Sequence, residues 1–208
     1  VESHTLNLND YIDHIELMDD YLFKPRNDLQ PVFRMSRRIF RYEKKKPLVF
    51  VFPIFLAVGG VERNTIETMR SLKDYYNFCV ITMEKHSKSQ GSLHYQLEDM
   101  CDYIFDLREI AEFEHYLEIL YELEKMFCPD VIWLCNNNLW FEIHTMQIRS
   151  IFKNTPIVAQ DVYDTKEGWI EYYDTPGVKS FDRYIAITEL IRECFQNKYG
   201  ISDEKIDV

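Results

Sequence analysis

From Pro47 onward, short unbroken apolar runs alternate with stretches of helical periodicity, and that alternation limits the folds open to this chain more than any other feature. The runs are Leu48 to Pro53 (LVFVFP), Phe78 to Met83, Tyr103 to Leu107, Val131 to Cys135 (VIWLC), Ile157 to Ala159 and Tyr184 to Ile187. A strand with one wet face alternates apolar and polar residues, whereas a continuous apolar run marks a strand covered on both faces. Between the runs lie Val61 to Lys73, Phe113 to Phe127, Trp140 to Phe152 and Glu189 to Tyr199, with apolar residues three and four apart, as a helix needs to bury one stripe. Repeated β-α-β units imply a parallel sheet with helices on both faces and right-handed crossovers. The expectation is an α/β, Rossmann-like, doubly wound domain over residues 47–208.

Residues 1–46 read differently. Up to residue 33 the chain is acidic, with Ile12, Ile15, Leu17, Met18, Leu22 and Phe23 spaced for a helix or two before Pro25 and Pro31 interrupt. Residues 34–46 (RMSRRIFRYEKKK) then carry seven basic side chains and one acid, a local charge of +6 within a chain whose net charge is -11. This N-terminal helical and basic extension has two readings. It is a solvated helix leading into the first strand, or a face offering Arg34, Arg37, Arg38 and Arg41 to anionic lipid or polyanionic glycan. The chain begins at Val1 without Met, and Ile206 to Val208 resembles a strand just starting, so a piece of a longer protein is expected.

Composition removes several classes of function. With 46% apolar residues and only six glycines and seven prolines in 208 residues, the chain can bury a core and is not low-complexity. An excess of 35 acidic over 24 basic residues argues against nucleic acid as a partner, because neutralising phosphates needs a positive face. No apolar run approaches the roughly 18 residues of a membrane span, and the N-terminus lacks a secretory pattern. Five cysteines without a C-x-x-C pair read as reduced thiols in a cytoplasmic protein. The histidines, among them His86, His94, His115 and His144, form no H-x3-H pair, so no metal is expected. Glu109, Glu112, Glu114, Glu118, Glu122 and Glu124 are expected mostly to face solvent on an amphipathic helix.

In an open α/β sheet, ligands sit beyond the carboxyl ends of the strands, beside the first strand where the order reverses. The loops after Pro53, Met83, Cys135, Ala159 and Ile187 are therefore the ones that matter. The first reads IFLAVGGVERN, and its Gly59 and Gly60 precede a helix start. There, bare backbone allows close approach and free N–H groups can hold phosphate. Neither G-x-G-x-x-G nor G-K-[ST] is present, which removes the dinucleotide fingerprint and the Walker loop. After the fourth strand come Asn136, Asn137 and Asn138, where Asn138 suits a helix cap and the first two could line a cleft. After the fifth come Gln160, Asp161, Tyr163, Asp164 and Trp169. Asp161 and Asp164 could accept from sugar hydroxyls, with Tyr163 and Trp169 as stacking faces; equally, the stretch could be a solvated loop anchored by its Trp.

The buried strand leading into GGVERNTIETMRSL, the late segment RYIAITELIRECFQNKYGI and the terminal SDEKIDV together resemble the N-terminal half of the family 4 glycosyltransferases of the GT-B fold. The likeness covers about residues 47–208. It implies transfer of a sugar from a nucleotide donor to a glycan or lipid-linked acceptor, with retention at the anomeric carbon and no metal or other cofactor. It further implies a soluble enzyme of polysaccharide biosynthesis, cytoplasmic or peripheral at the inner face of the membrane. Gly59 and Gly60, with Glu62 beside them, would face the donor phosphate or sugar. Asn136, Asn137, Asp161, Tyr163, Asp164 and Trp169 would lie on the acceptor side. The E-x7-E carboxylates and the catalytic machinery would belong to a second lobe. Many members place a His near the end of the fifth strand, where this chain has Gln160 or Asp161. The competing expectation is a non-catalytic Rossmann-like module that binds carbohydrate or protein.

Overall fold

Strand β1 (Leu48–Pro53) is buried along its whole length, which the period of the strand explains. Leu48, Phe50 and Phe52 point to one face of the sheet and Val49 and Val51 to the other, and each set joins a different hydrophobic cluster. The same division runs through β2 (Asn77–Thr82) and β4 (Val131–Cys135): Cys79, Ile81, Ile132 and Leu134 join the first set, and Phe78, Val80, Trp133 and Cys135 the second. A strand apolar on both faces needs cover on both faces, and the crossovers supply it.

The computed structural model describes residues 42–136, 139–163 and 176–208. Helix α1 (Gly60–Leu72) covers the second face with Ile66 and Met69, helped by Leu93, Leu97 and Met100 from the connection that follows β2. The chain returns through β3 (Cys101–Asp106), a short α2 (Leu107–Ile110) and α3 (Tyr116–Phe127). Helix α3 lays Tyr116, Ile119, Leu120, Leu123 and Phe127 on the first face. Beyond β4 come α4 (Leu139–Ile143), α5 (Thr145–Ile151), β5 (Ile157–Asp161), α6 (Pro176–Lys179), β6 (Arg183–Ala186), α7 (Glu189–Glu193) and β7 (Ile206–Asp207). All pairings are parallel and the order is β3-β2-β1-β4-β5-β6-β7. The doubly wound parallel sheet read from the sequence is the fold of this protein.

Two helices depart from the sequence reading. The single helix expected over Trp140 to Phe152 breaks at His144. There the His144 ring Nδ1 lies 2.7 Å from the Trp140 carbonyl, and the Thr145 hydroxyl donates to the Phe141 and Glu142 carbonyls at 3.0 and 2.6 Å. Side chains that bond the preceding turn compete with the backbone ladder and bend it. The helix expected over Glu189 to Tyr199 is regular only as far as Glu193 and continues as a wider π turn over Cys194–Lys198. Its start agrees with the sequence, since Thr188 caps it by accepting from the Ile191 N–H at 3.3 Å.

The described part of the basic segment is tied to the sheet. The Tyr42 ring packs on Tyr103 and Phe127, Lys44 pairs with Asp130 at 2.8 Å, and Lys46 donates to the Lys73 carbonyl at 2.6 Å. The helices expected before residue 34, and Arg34, Arg37, Arg38 and Arg41, lie outside the described residues. Among the described residues no helix is long and apolar enough to cross a membrane.

Phe127 joins these parts, with its ring against Tyr42, Phe50, Tyr103 and Phe105 and only 1% of its surface exposed. Phe127→Ala should therefore cost about 3 to 5 kcal/mol, through lost transfer energy and the cavity it leaves. Urea denaturation checks this, and a loss under about 1 kcal/mol would mean that the aromatic cluster is not the core of that face.

Candidate functional site at the carboxyl edge of the sheet

The pairing register lines up Pro53, Cys135, Gln160 and Ile185 across β1, β4, β5 and β6. The chain leaves the sheet just beyond this row. β1 sends its chain to α1 and back to β2, while β4 stands on its other side. The two connections part there and leave a crevice at the reversal of strand order.

The loop from Ile54 to Val58 is fixed by backbone alone. The N–H groups of Met83 and Glu84 donate to the Ile54 carbonyl at 3.0 and 2.9 Å, that of Leu93 to Leu56 at 2.9 Å, and the Val58 N–H to Gln90 at 3.0 Å. Gly91 makes the last contact possible: its φ is +70°, and a β-carbon there would come within 2.8 Å of the Val58 side chain. The connection after β2 thus clamps the glycine turn.

Gly59 and Gly60 play different parts. Gly59 is the extended residue that caps α1, and no side chain caps the helix from that position. A β-carbon on Gly59 would collide with Glu62 Oε2, so the missing side chain leaves room for the Glu62 carboxylate to fold back over the turn. Gly60 is exposed, and nothing lies within 4 Å of where its β-carbon would stand. Backbone at that point is open to close approach. Glu62 is 8% exposed. Burial raises its pKa, against the pull of its own backbone N–H and of nearby His86.

Asn136, the residue after β4, lies in the left-handed region, φ 61°, where Asn is tolerated better than most residues. Its N–H donates to the Gln160 carbonyl at 2.9 Å. The side chain is 7% exposed, and its Oδ1 is buried without a hydrogen-bond partner among the described residues. A buried acceptor left unpaired costs about 1 to 3 kcal/mol and calls for a donor from elsewhere. Asp161, read from the sequence as a loop residue, is the last residue of β5 and only 1% exposed. Its Oδ1 accepts from the Tyr163 N–H at 3.1 Å and shapes the turn, and Tyr163 is 44% exposed. Gln160 accepts from the Trp133 indole at 3.2 Å. Asn137, Asn138, Asp164 and Trp169 lie outside the described residues.

The structure therefore brings Gly59, Gly60, Glu62, Asn136, Asp161 and Tyr163 to one edge, with the first three and Asn136 flanking β1 and β4. It adds residues that sequence reasoning passed over. His86, weighed there only as a metal ligand, stands near Glu62 with its ring 5.9 Å from that of Phe55. His94 bridges Ser92 and Asp106, with ring nitrogens 2.5 Å from the Ser92 hydroxyl and 3.0 Å from the Asp106 carboxylate, which also accepts from Thr82 at 2.7 Å. That chain of contacts fastens the clamping connection to the ends of β2 and β3. The signal available was position alone, since both histidines lie in the connection that follows β2.

A cavity of about 540 Å³ lies farther out, between α2 and the start of α3, lined by Lys85, Arg108, Glu118, Ile119 and Glu122 among others. It corrects the reading of the acidic helix. Glu109, Glu112 and Glu114 do face solvent, but Glu118 and Glu122 are 7% and 3% exposed, one turn apart on a wall of this cavity. The stripe that α3 buries is wide enough to include them.

No protein-family model matches the chain, and no curated protein matches it. Among solved structures, the chain is similar to a glycosyltransferase from Rickettsia africae ESF-5, at 19% identity over 79% of this chain, with a TM-score of 0.57. It spans 43% of that protein's length. It is also aligned with an FMN-dependent cysteine decarboxylase of thioviridamide biosynthesis, at 11% identity over 73% of this chain and 94% of the other; their TM-score, 0.39, is too low to define a shared fold. The first likeness is one of fold alone, and the fold of this chain is a parallel Rossmann-like sheet.

Proposed function

We propose that this chain is the acceptor-side lobe of a nucleotide-sugar-dependent glycosyltransferase of the GT-B type, family 4, acting on a glycan or lipid-linked acceptor with retention and without a metal. The observation that carries the reading is the Gly59–Gly60 turn. It opens α1 at the strand-order reversal, with Gly60 exposed and its surroundings empty. The fold likeness to the Rickettsia africae glycosyltransferase supports it. The donor's nucleotide and the E-x7-E carboxylates belong, on this reading, to a second lobe across a cleft.

The part of this lobe is positioning. A sugar transfer proceeds when an acceptor oxygen is held near the anomeric carbon and the leaving diphosphate is stabilised, and orientation and fixed dipoles supply most of that acceleration. The first turn of α1 offers N–H groups and the positive end of a 13-residue helix to a phosphate oxygen. Asn136 offers a buried carbonyl that a hydroxyl can satisfy. Cytoplasmic location, with contact to the inner membrane face through residues 34–46, belongs to the same proposal.

Two experiments test it. Titration of the 208-residue chain with nucleoside diphosphates and oligosaccharides, followed by amide NMR, should move Gly60, Val61, Asn136 and Tyr163 and leave the opposite edge of the sheet still. The chain alone should transfer no sugar. Perturbation confined to the α2–α3 cavity, or robust turnover by the chain alone, would overturn the reading. Asn136→Gly keeps the left-handed turn open to the backbone and should change stability by less than about 1 kcal/mol. It should weaken carbohydrate binding severalfold through the lost acceptor; unchanged binding would restrict Asn136 to a backbone role.

A further inference from the structure

Glu62 is the third residue of α1, and its carboxylate bends back over Gly59 and accepts from its own backbone N–H, one of the donors that the first turn leaves unsatisfied. A carboxylate there satisfies the helix end much as the acidic half of a capping box does. It thus lies beside the same donors that an incoming phosphate oxygen would use. It is more than nine-tenths buried, and no side chain among the described residues hydrogen-bonds it; its bond is to its own backbone N–H. Two anions cannot share one helix terminus cheaply, since neighbouring like charges repel even in water and more strongly where solvent is displaced.

We propose that Glu62 is a resident counter-anion at the mouth of α1, which a donor phosphate must displace or meet in its neutral, protonated form, so that phosphate binding is coupled to proton uptake at this residue. The inference rests on the reading of α1 as the phosphate-facing helix. Three neighbours bear on its titration. His86, on the connection after β2, favours the charged carboxylate. The Cys135 thiol at the end of β4 is fully buried and its own pKa is raised mainly by that burial, so it stays neutral and contributes no charge. Arg63, the next residue of α1, is exposed. Burial of Glu62 lifts its pKa, so protonation near the site requires less acid than for a free glutamate. The sign follows: phosphate affinity falls as pH rises through the Glu62 pKa.

The gap that Gly59 leaves is part of the same device. With a side chain at that position the carboxylate could not fold back, and the helix mouth would be permanently open to anions. With the gap, the carboxylate competes with any incoming anion, which binds best when Glu62 is protonated or when the ligand brings binding elsewhere.

Sulfate tests this, because it has the shape of phosphate and does not titrate above pH 4. Binding is read from the Gly60 and Val61 amide shifts at constant ionic strength. The comparison is between His86→Gln and the double variant Glu62→Gln/His86→Gln, which removes the protonation of His86 from the comparison. At pH 7.5 the double variant should bind about tenfold tighter or more, and the two should converge as the pH drops below the Glu62 pKa. In the unmodified chain, whose folding no substitution puts at risk, sulfate should raise the Glu62 carboxyl pKa observed by carbon NMR. Equal affinities at pH 7.5, or a Glu62 pKa indifferent to sulfate, would overturn the inference and leave α1 as an anion seat. No sulfate-dependent shift in any of the proteins would overturn the inference and the phosphate-facing reading together.

Discussion

The parallel pairing of β1 with both β2 and β4 is the constraint on which the rest of the structure depends. A strand buried between two neighbours has only its ends free, and parallel neighbours require long crossovers that leave the sheet in opposite directions. The exit of β1 is therefore forced into the gap between those crossovers. Four backbone hydrogen bonds between the exit loop and the connection after β2, three donated by the connection and one by Val58, then hold that loop, and side chains need not intervene. This fixes the glycine turn through its backbone, with the main chain open at Gly60 and the Glu62 carboxylate folded back over Gly59.

Much of this is legible in the amino-acid sequence, and the reasons are physical. LVFVFP and VIWLC can only be covered strands, and both are. Thr188 before the last helix is a cap and makes the expected bond. What escaped the sequence reading depends on neighbours far apart in the chain. His144 and Thr145 break a periodic helix because their side chains bond carbonyls a turn away, an option that apolar periodicity does not register. Glu118 and Glu122 are buried although they belong to an acidic run, since the cavity beside α2 exists only after β3 has turned back. Asp161 lies inside a strand because β6 pairs as far as Ala186.

The placement of the candidate residues was legible in outline and not in detail. The reversal rule pointed to the loops after Pro53, Cys135 and Ala159, and the described strand ends that lead to them, Pro53, Cys135 and Asp161, lie along one edge of the sheet. The sequence could not distinguish the two glycines, although one accommodates a carboxylate and the other faces open space. Nor could it reveal that Asn136 turns through the left-handed region and buries an acceptor without a partner. Polarity at this edge is therefore concentrated in a few positions: a helix terminus, a carboxylate over it, and an amide oxygen. On the proposed reading, the helix terminus would meet a phosphate oxygen and the amide oxygen a hydroxyl, with the carboxylate as competitor of the first.

The claim at the centre of this account is that ligand is held across the carboxyl ends of β1 and β4. A crystal structure of the chain with a nucleoside diphosphate sugar and an acceptor oligosaccharide tests it most directly. The account predicts density for phosphate or sugar within hydrogen-bonding distance of the first turn of α1 and of the Asn136 side chain. Ligand ordered only in the cavity between α2 and α3, with the crevice beside β1 filled by solvent alone, would contradict it.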